Sequence, residues 1–224
     1  MKRSQINASI LWAIDLLKKN NFFLPDFAYW KKEDWIKNKD KTEIIKKVML
    51  GWDVTDYNLG QFEKTGGVLF TIRNGDQKNP GIGVPYAEKV LLFKESQRLP
   101  THFHYCKTED IINRGGGVMD LKLYNALPDG EMDKKNSVSV YMDGIRHVVG
   151  PGEAVRVYPG NSITLTPYMY HNFGALEGCG ELIAGEVSSV NDDNTDNRFY
   201  ENLPRFGDID EDEPMLYPLV PDHK

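Results

Sequence analysis

Ile6, Ile10, Ala13, Ile14 and Leu17 recur at intervals of three and four, the spacing that lines one face of a helix. This predicts a helix over residues 4–20. Ser4 or Asn7 is its expected cap, and Asn20-Asn21 followed by Pro25 ends it. A second helix is expected near 32–48, burying Trp35, Ile36, Ile44, Ile45 and Val48. Between the two, Phe22, Phe23, Phe27, Tyr29 and Trp30 form an irregular aromatic segment, read as core. After Gly51 the period changes, and short apolar runs alternate with turn residues. Strands are expected at 68–72 (closed by Asn74-Gly75), 89–95, 137–142, 145–149, 154–158, 162–166 and 181–189. Residues 167–172 also read as strand-like. Asp143-Gly144 between two such runs is a two-residue hairpin signal. Many short strands with regular turns predict a mainly β fold, a sandwich or barrel of the jelly-roll kind with N-terminal helices. Past Asn191 the chain turns polar and acidic, and Met215 to Pro221 reads as an extended docking arm. With no internal repeat or linker, residues 1–224 are read as one domain: helical decoration over 1–50, a barrel over 51–190 and an arm over 191–224.

Composition narrows the function classes. The chain has 224 residues, 40% hydrophobic and 27% charged, ordinary values for a soluble domain. The net charge is −6, and Lys31, Lys32, Lys37, Lys39, Lys41, Lys46 and Lys47 are mixed with acids. No basic track for nucleic acid emerges. Cys106 and Cys179 are too sparse for a disulfide framework and read as free thiols in a reducing compartment, hence a cytoplasmic chain. Met1-Lys2-Arg3 opens like a signal peptide. However, Asp15 interrupts the apolar run, Lys18-Lys19 follow it, and no small-residue cleavage site comes after. No stretch is long and apolar enough to span a membrane. Asn7-Ala8-Ser9 is read as a chance glycosylation sequon.

The chemistry gathers at Thr101-His102-Phe103-His104-Tyr105-Cys106-Lys107-Thr108-Glu109. Residues two apart in a strand share a face, so His102 and His104 point together and Phe103 points away. Glu109 is an odd number of residues from both. The chain must therefore bulge or turn between Cys106 and Thr108 if all three are to meet. A further histidine, His171, sits in a later strand-like segment. Three imidazoles and a carboxylate suit manganese, iron, cobalt, nickel or zinc, and leave an octahedral ion two open positions. Cys106 in place of Glu109 would instead make a tetrahedral zinc site.

His102, His104, Glu109 and Gly116, with Pro159-Gly160, His171 and Asn172, resemble the two motifs of the cupin superfamily. The first motif lacks its leading Gly, and Gly160 to His171 is longer than usual. The resemblance implies a cupin-type double-stranded β-helix. Longer blocks are similar to the D-lyxose isomerase family along nearly the whole chain: Lys2-Arg3-Ser4, Ile6-Asn7, Phe27-Ala28-Tyr29-Trp30, His102-Phe103-His104, Lys107 to Gly117, and Gly185 to Phe199. That resemblance implies a homodimeric, manganese-dependent sugar isomerase that converts D-lyxose to D-xylulose, often also D-mannose to D-fructose.

For such a reaction a base must carry a proton between neighbouring carbons. Glu186 is the candidate, set among the apolar neighbours Leu182, Ile183 and Ala184, with a structural pairing to Arg114 or Arg198 as the alternative. Lys107 is the candidate for stabilising charge at the sugar oxygens, with a solvated rim lysine as the alternative. Lys89, Arg114, Glu201 and Arg205 are candidates for substrate binding. Gly115-Gly116-Gly117 reads as a tight turn rather than a phosphate cradle, which favours an unphosphorylated sugar. Two rival functions remain open at this level: an iron-dependent cupin dioxygenase, which would consume oxygen, and a sugar-binding cupin without turnover.

Overall fold

The computed structural model describes residues 1–223. Helices α1 (Arg3–Lys19), α2 (Lys32–Lys37) and α3 (Glu43–Lys47) precede the strands. These are β1 (Gly51–Thr55), β2 (Gly67–Gly75), β3 (Gly83–Phe93), β4 (His102–His104), β5 (Glu109–Gly116), β6 (Met119–Ala126) and β7 (Met132–Asp133), followed by β8 (Val138–Met142), β9 (Ile145–Val149), β10 (Ala154–Val157), β11 (Ser162–Leu165), β12 (Met169–Ala175), β13 (Leu182–Ser188) and β14 (Asn197–Phe199). One sheet runs β1-β2-β3-β13-β5-β11-β8-β9, and the other runs β10-β6-β12-β4-β14 with β7 beside β6. This is the jelly-roll barrel of cupin type with N-terminal helices that the sequence predicts. No helix among the described residues is long and apolar enough to cross a membrane.

Strand alternation builds two cores. Leu69, Leu91, Phe93, Leu182 and Ala184 face the barrel interior, where they meet Leu121, Leu123, Phe173 and Ile163 from other strands. Their neighbours Val68, Phe70, Val90, Leu92 and Ile183 face outward beneath Ile6, Ile10, Ala13 and Leu17 of α1. Both faces of β2, β3 and β13 are thus covered, which explains their nearly continuous apolar runs. The hairpin at Asp143-Gly144 forms as expected, with φ +50° and +79°, the positive pair a two-residue turn requires. Gly115 and Gly116 (φ +146° and +82°) lie where β5 ends, and a Cβ on Gly116 would collide with the Glu181 carbonyl.

Several local expectations are corrected. The cap of α1 is neither Ser4 nor Asn7. The Arg3 amide donates to the Asp210 carbonyl, and the Ser4 amide donates to Asp212, so the C-terminal arm supplies the partners. Asn7 is instead buried against that arm: its Nδ2 donates to Glu213 and to the Pro214 carbonyl, and its Oδ1 accepts from Leu216. The second helix is split at Asn38 and Thr42, whose side chains bond the Asp34 and Lys39 carbonyls. Such bonds offer the backbone an alternative to continued helix. Trp35 and Val48 are buried, but Ile36 and Ile44 are exposed. Phe23 is also exposed, while Phe27 packs on Phe70 with ring centroids 5.3 Å apart. Asn74-Gly75 belongs to β2, and the turn is made after it, where Asp76 accepts from the Lys78 and Asn79 amides. Strands β1, β5, β6, β7 and β14 lie outside the expected set.

Candidate active site

β4 and β12 are neighbours in register, with His102 opposite His171. The strand period turns His102 and His104 inward and sends Phe103 outward among Tyr105, Tyr168 and Tyr170. One nitrogen from each of His102, His104 and His171 lies within 4.8 Å of the others, and all three rings are buried. Nδ1 of His102 lies 2.9 Å from the Pro100 carbonyl, and Nδ1 of His171 lies 2.9 Å from the Met169 carbonyl. A carbonyl accepts only, so each Nδ1 carries a proton, and in the neutral ring each Nε2 keeps a lone pair. Burial holds His102 well below the ordinary histidine pKa, and His171 and His104 add to the effect. Burial likewise lowers His104, with Lys107 adding to it.

Glu109 comes to these rings by a break rather than a bulge. The chain leaves one sheet at His104 and enters the other at Glu109, with residues 105–108 as the corner. Glu109 Oε1 then lies 3.4 Å from His104 Nε2 and 3.2 Å from His171 Nε2. His171 Nε2 is buried without a hydrogen-bond partner among the described residues. A neutral imidazole lone pair facing a carboxylate oxygen is acceptor against acceptor, an arrangement that a cation relieves. Three imidazoles and one carboxylate fit a divalent transition-metal ion. Cys106 is exposed and free, so it does not join the cluster.

Behind the histidines runs a chain of alternating charges. Lys107 is buried, its Nζ 2.6 Å from Glu109 Oε2, 2.9 Å from Glu186 Oε1 and 3.3 Å from Asn191 Oδ1. Glu186 stands opposite Lys89 across the β13–β3 ladder, with Lys89 Nζ 3.7 Å away and also 3.5 Å from Asp193. Arg205 closes the chain at 3.0 Å from Asp193 and 2.6 Å from Asp53. Burial alone would lower the Lys107 pKa, but Glu109 and then Glu186 outweigh it and raise it. Burial opposes the Glu109 charge, yet Lys107 and His104 hold its carboxyl well below the usual range. Asp193 is lowered in the same way, against burial, by Arg205 and then Lys89. With the imidazoles neutral, three cations (Lys89, Lys107, Arg205) face four carboxylates (Asp53, Glu109, Glu186, Asp193). The interior is one charge short of neutral, which also favours a bound cation.

The cavity between these groups encloses about 400 Å³ including its open mouth, with Tyr57, Leu69, Leu91, Leu99, Phe173 and Phe199 as its apolar walls. It gathers His102, His104, Lys107, Glu109, Glu186, Lys89 and Arg205, and His171 joins through Glu109. Arg114 and Glu201 are not brought there. Arg114 is exposed on the opposite face of β5, against Gly185, and Glu201 lines a separate groove with Arg98 and Tyr200. Glu186 has lysines as partners, not Arg114 or Arg198, and Lys107 is no rim lysine. Asp53, Tyr57 and Asp193 were missed. Asp193 lay within a recognised block, but Asp53 carried no signal in its local sequence.

A profile of the D-lyxose isomerase family matches residues 1–223. A D-lyxose/D-mannose isomerase of Serratia proteamaculans is 40% identical over 221 residues, covering 98% of this chain and 96% of that protein. One of Escherichia coli O157:H7 is 40% identical over 225 aligned positions, covering 100% and 99%. Among solved structures, an L-ribose isomerase of Geodermatophilus obscurus superposes with a TM-score of 0.57 at 13% identity, covering 94% of this chain and 98% of that one. An L-ribose isomerase of Acinetobacter sp. DL28 gives 0.56 at 14%, covering 90% and 93%. At such identities these two establish the shared fold.

Proposed function

The chain belongs to the D-lyxose isomerase family, and from that premise we propose that it interconverts D-lyxose with D-xylulose, and D-mannose with D-fructose, by proton transfer through an enediol. The observation that carries the reading is Glu186. It is a buried carboxylate on the cavity wall, 2.9 Å from a lysine that also touches Glu109, the carboxylate facing the histidines. His102, His104, Glu109 and His171 are the proposed metal ligands. A divalent cation held there supplies Lewis acidity toward the sugar oxygens on the two reacting carbons.

The remaining steps fall to the chain's own residues. Glu186 takes the proton from one carbon and returns it to the neighbouring one. Lys89 and Lys107 grip Glu186 from two sides, which fixes its direction. The Lys107 ammonium also faces the negative charge that develops on the sugar oxygens. Lys89 and Arg205, the latter braced by Asp53 and Asp193, offer donors to the sugar's outer hydroxyls. Leu91, Leu99 and Phe173 keep bulk water from the enediol. Manganese as the ion and a homodimer as the assembly complete the proposal on the strength of the family resemblance, with the cytoplasm as the location from the sparse cysteines and a single cupin domain from the absence of a repeat or linker.

The test is turnover. Protein stripped with chelator and restored with Mn²⁺ should form ketose from D-lyxose and from D-mannose, and the stripped protein should not. Metal-loaded protein that forms no ketose from either sugar overturns the reading.

A further inference from the structure

The corner that separates His104 from Glu109 is held at every backbone amide by one segment, 189–196. The Tyr105 N–H donates to the Asp196 carbonyl at 3.2 Å. The Cys106 N–H donates to Asp196 Oδ1 at 2.8 Å, and the Lys107 N–H to Asp196 Oδ2 at 3.0 Å. The Thr108 N–H donates to Ser189 Oγ at 3.2 Å, and the Ser189 N–H returns to the Thr108 carbonyl at 3.0 Å. Asp196 itself is buried. It precedes β14, whose first residue, Asn197, pairs with His104. A carboxylate that takes two successive amides, one on each oxygen, makes a charge-assisted and directional grip. Nothing else described here bonds those two amides.

We infer that Asp196 is a positioning residue for the proton transfer: its carboxylate sets the corner so that Lys107 and Glu109 reach Glu186 and the histidines together. The inference rests on the isomerase reading. Its physical basis is strand parity. A continuous strand would aim Glu109 away from His102 and His104, and the 105–108 corner is what turns it back. The Lys107 amide held by Asp196 belongs to the same residue whose Nζ lies between Glu109 and Glu186. A shift of the backbone there therefore moves the ammonium directly. The three histidines stand on β4 and β12, whose pairing with each other does not involve Asp196.

The experiment compares Asp196→Ala and Asp196→Asn with the parent protein. Mn²⁺ content per chain, thermal midpoint, kcat and KM for D-lyxose, and amide hydrogen exchange at Cys106 and Lys107 are measured together. We expect kcat per Mn²⁺-loaded chain to fall roughly tenfold to a hundredfold in Asp196→Ala, with KM changed much less. Asp196→Asn, which keeps one acceptor oxygen, should fall between. Exchange at both amides should quicken. A merely structural role lowers the thermal midpoint or the loaded fraction and leaves kcat per loaded chain within twofold, and that result overturns the inference. If the Ala variant does not fold, the Asn variant decides on the same criterion. If the parent protein itself makes no ketose, the isomerase reading has failed. The exchange data then stand alone, and unchanged protection at Cys106 and Lys107 overturns the clamp.

Discussion

Glu186, the proposed base, is a buried carboxylate on the cavity wall, and two lysines hold it. Lys107 and Lys89 approach the same oxygen, Oε1, at 2.9 and 3.7 Å, which leaves Oε2 as the oxygen that no ion pair claims. Glu186→Gln keeps the shape and removes the proposed base. Metal content should stay at the parent level while kcat falls about 10²- to 10⁴-fold, and elemental analysis beside the ketose assay checks both. His171→Ala acts on the other half of the site: Mn²⁺ content and activity should vanish together. Lys107 serves both halves. In Lys107→Met, Glu109 and Glu186 lose a shared buried cation, and the metal-stripped protein should be about 3 kcal/mol less stable in urea unfolding. The pair His102 and His104 was legible because a period of two is local. The lysine–carboxylate chain was not, because Arg205 meets Asp53 across 152 residues, and no window of sequence joins them.

Among the elements, strand alternation was readable and the joints were not. β3 shows why: Lys89, Leu91 and Phe93 face inward, and Val90 and Leu92 outward. The same inward row passes from apolar floor to charged wall within five residues. Glu186, Ala184 and Leu182 repeat that gradient on β13, directly across from it. Parity gave the condition that the chain must turn before Glu109. It left open that the turn would be a change of sheet. The cap of α1 was misplaced for a related reason, since its partners arrive from the far end of the chain. Arg3, fully buried in the first helical turn, opposes the helix dipole and is offset there by Glu211 and Asp222. Asn7 binds the same arm through three hydrogen bonds. Asn7→Ala should cost about 2 kcal/mol, and limited proteolysis should then cut first within residues 211–223. Cleavage elsewhere in the chain, with the arm intact, would show that the arm is anchored independently of Asn7.

At the scale of the whole molecule, the depressed histidines tie stability to pH. His102 and His104 are held below the ordinary value chiefly by burial. His223, packed against Trp35 near the arm's end, is lowered to about 4 by burial and by Lys46. In the unfolded chain each would titrate near 6.5. Below that pH the unfolded state binds protons that the folded state refuses, so the folded state loses ground as pH falls. Each such group contributes up to about 1.4 kcal/mol per pH unit between the unfolded value and its folded one. Glu109 and Asp193, held low by their cations, act in the same sense but only below about pH 4, the unfolded carboxylate range. Metal-stripped protein should therefore hold its stability from pH 8 to 7 and lose it steadily from about 6.5 to 5, before any carboxylate titrates. Urea unfolding across that range measures the slope. His223→Gln should flatten it without touching the cavity, whereas a slope that begins only below pH 4.5 would assign the acid sensitivity to the carboxylates instead. The same protons compete with a cation for His102 and His104, so Mn²⁺ retention should fall with pH even where His223→Gln has removed the distant contribution.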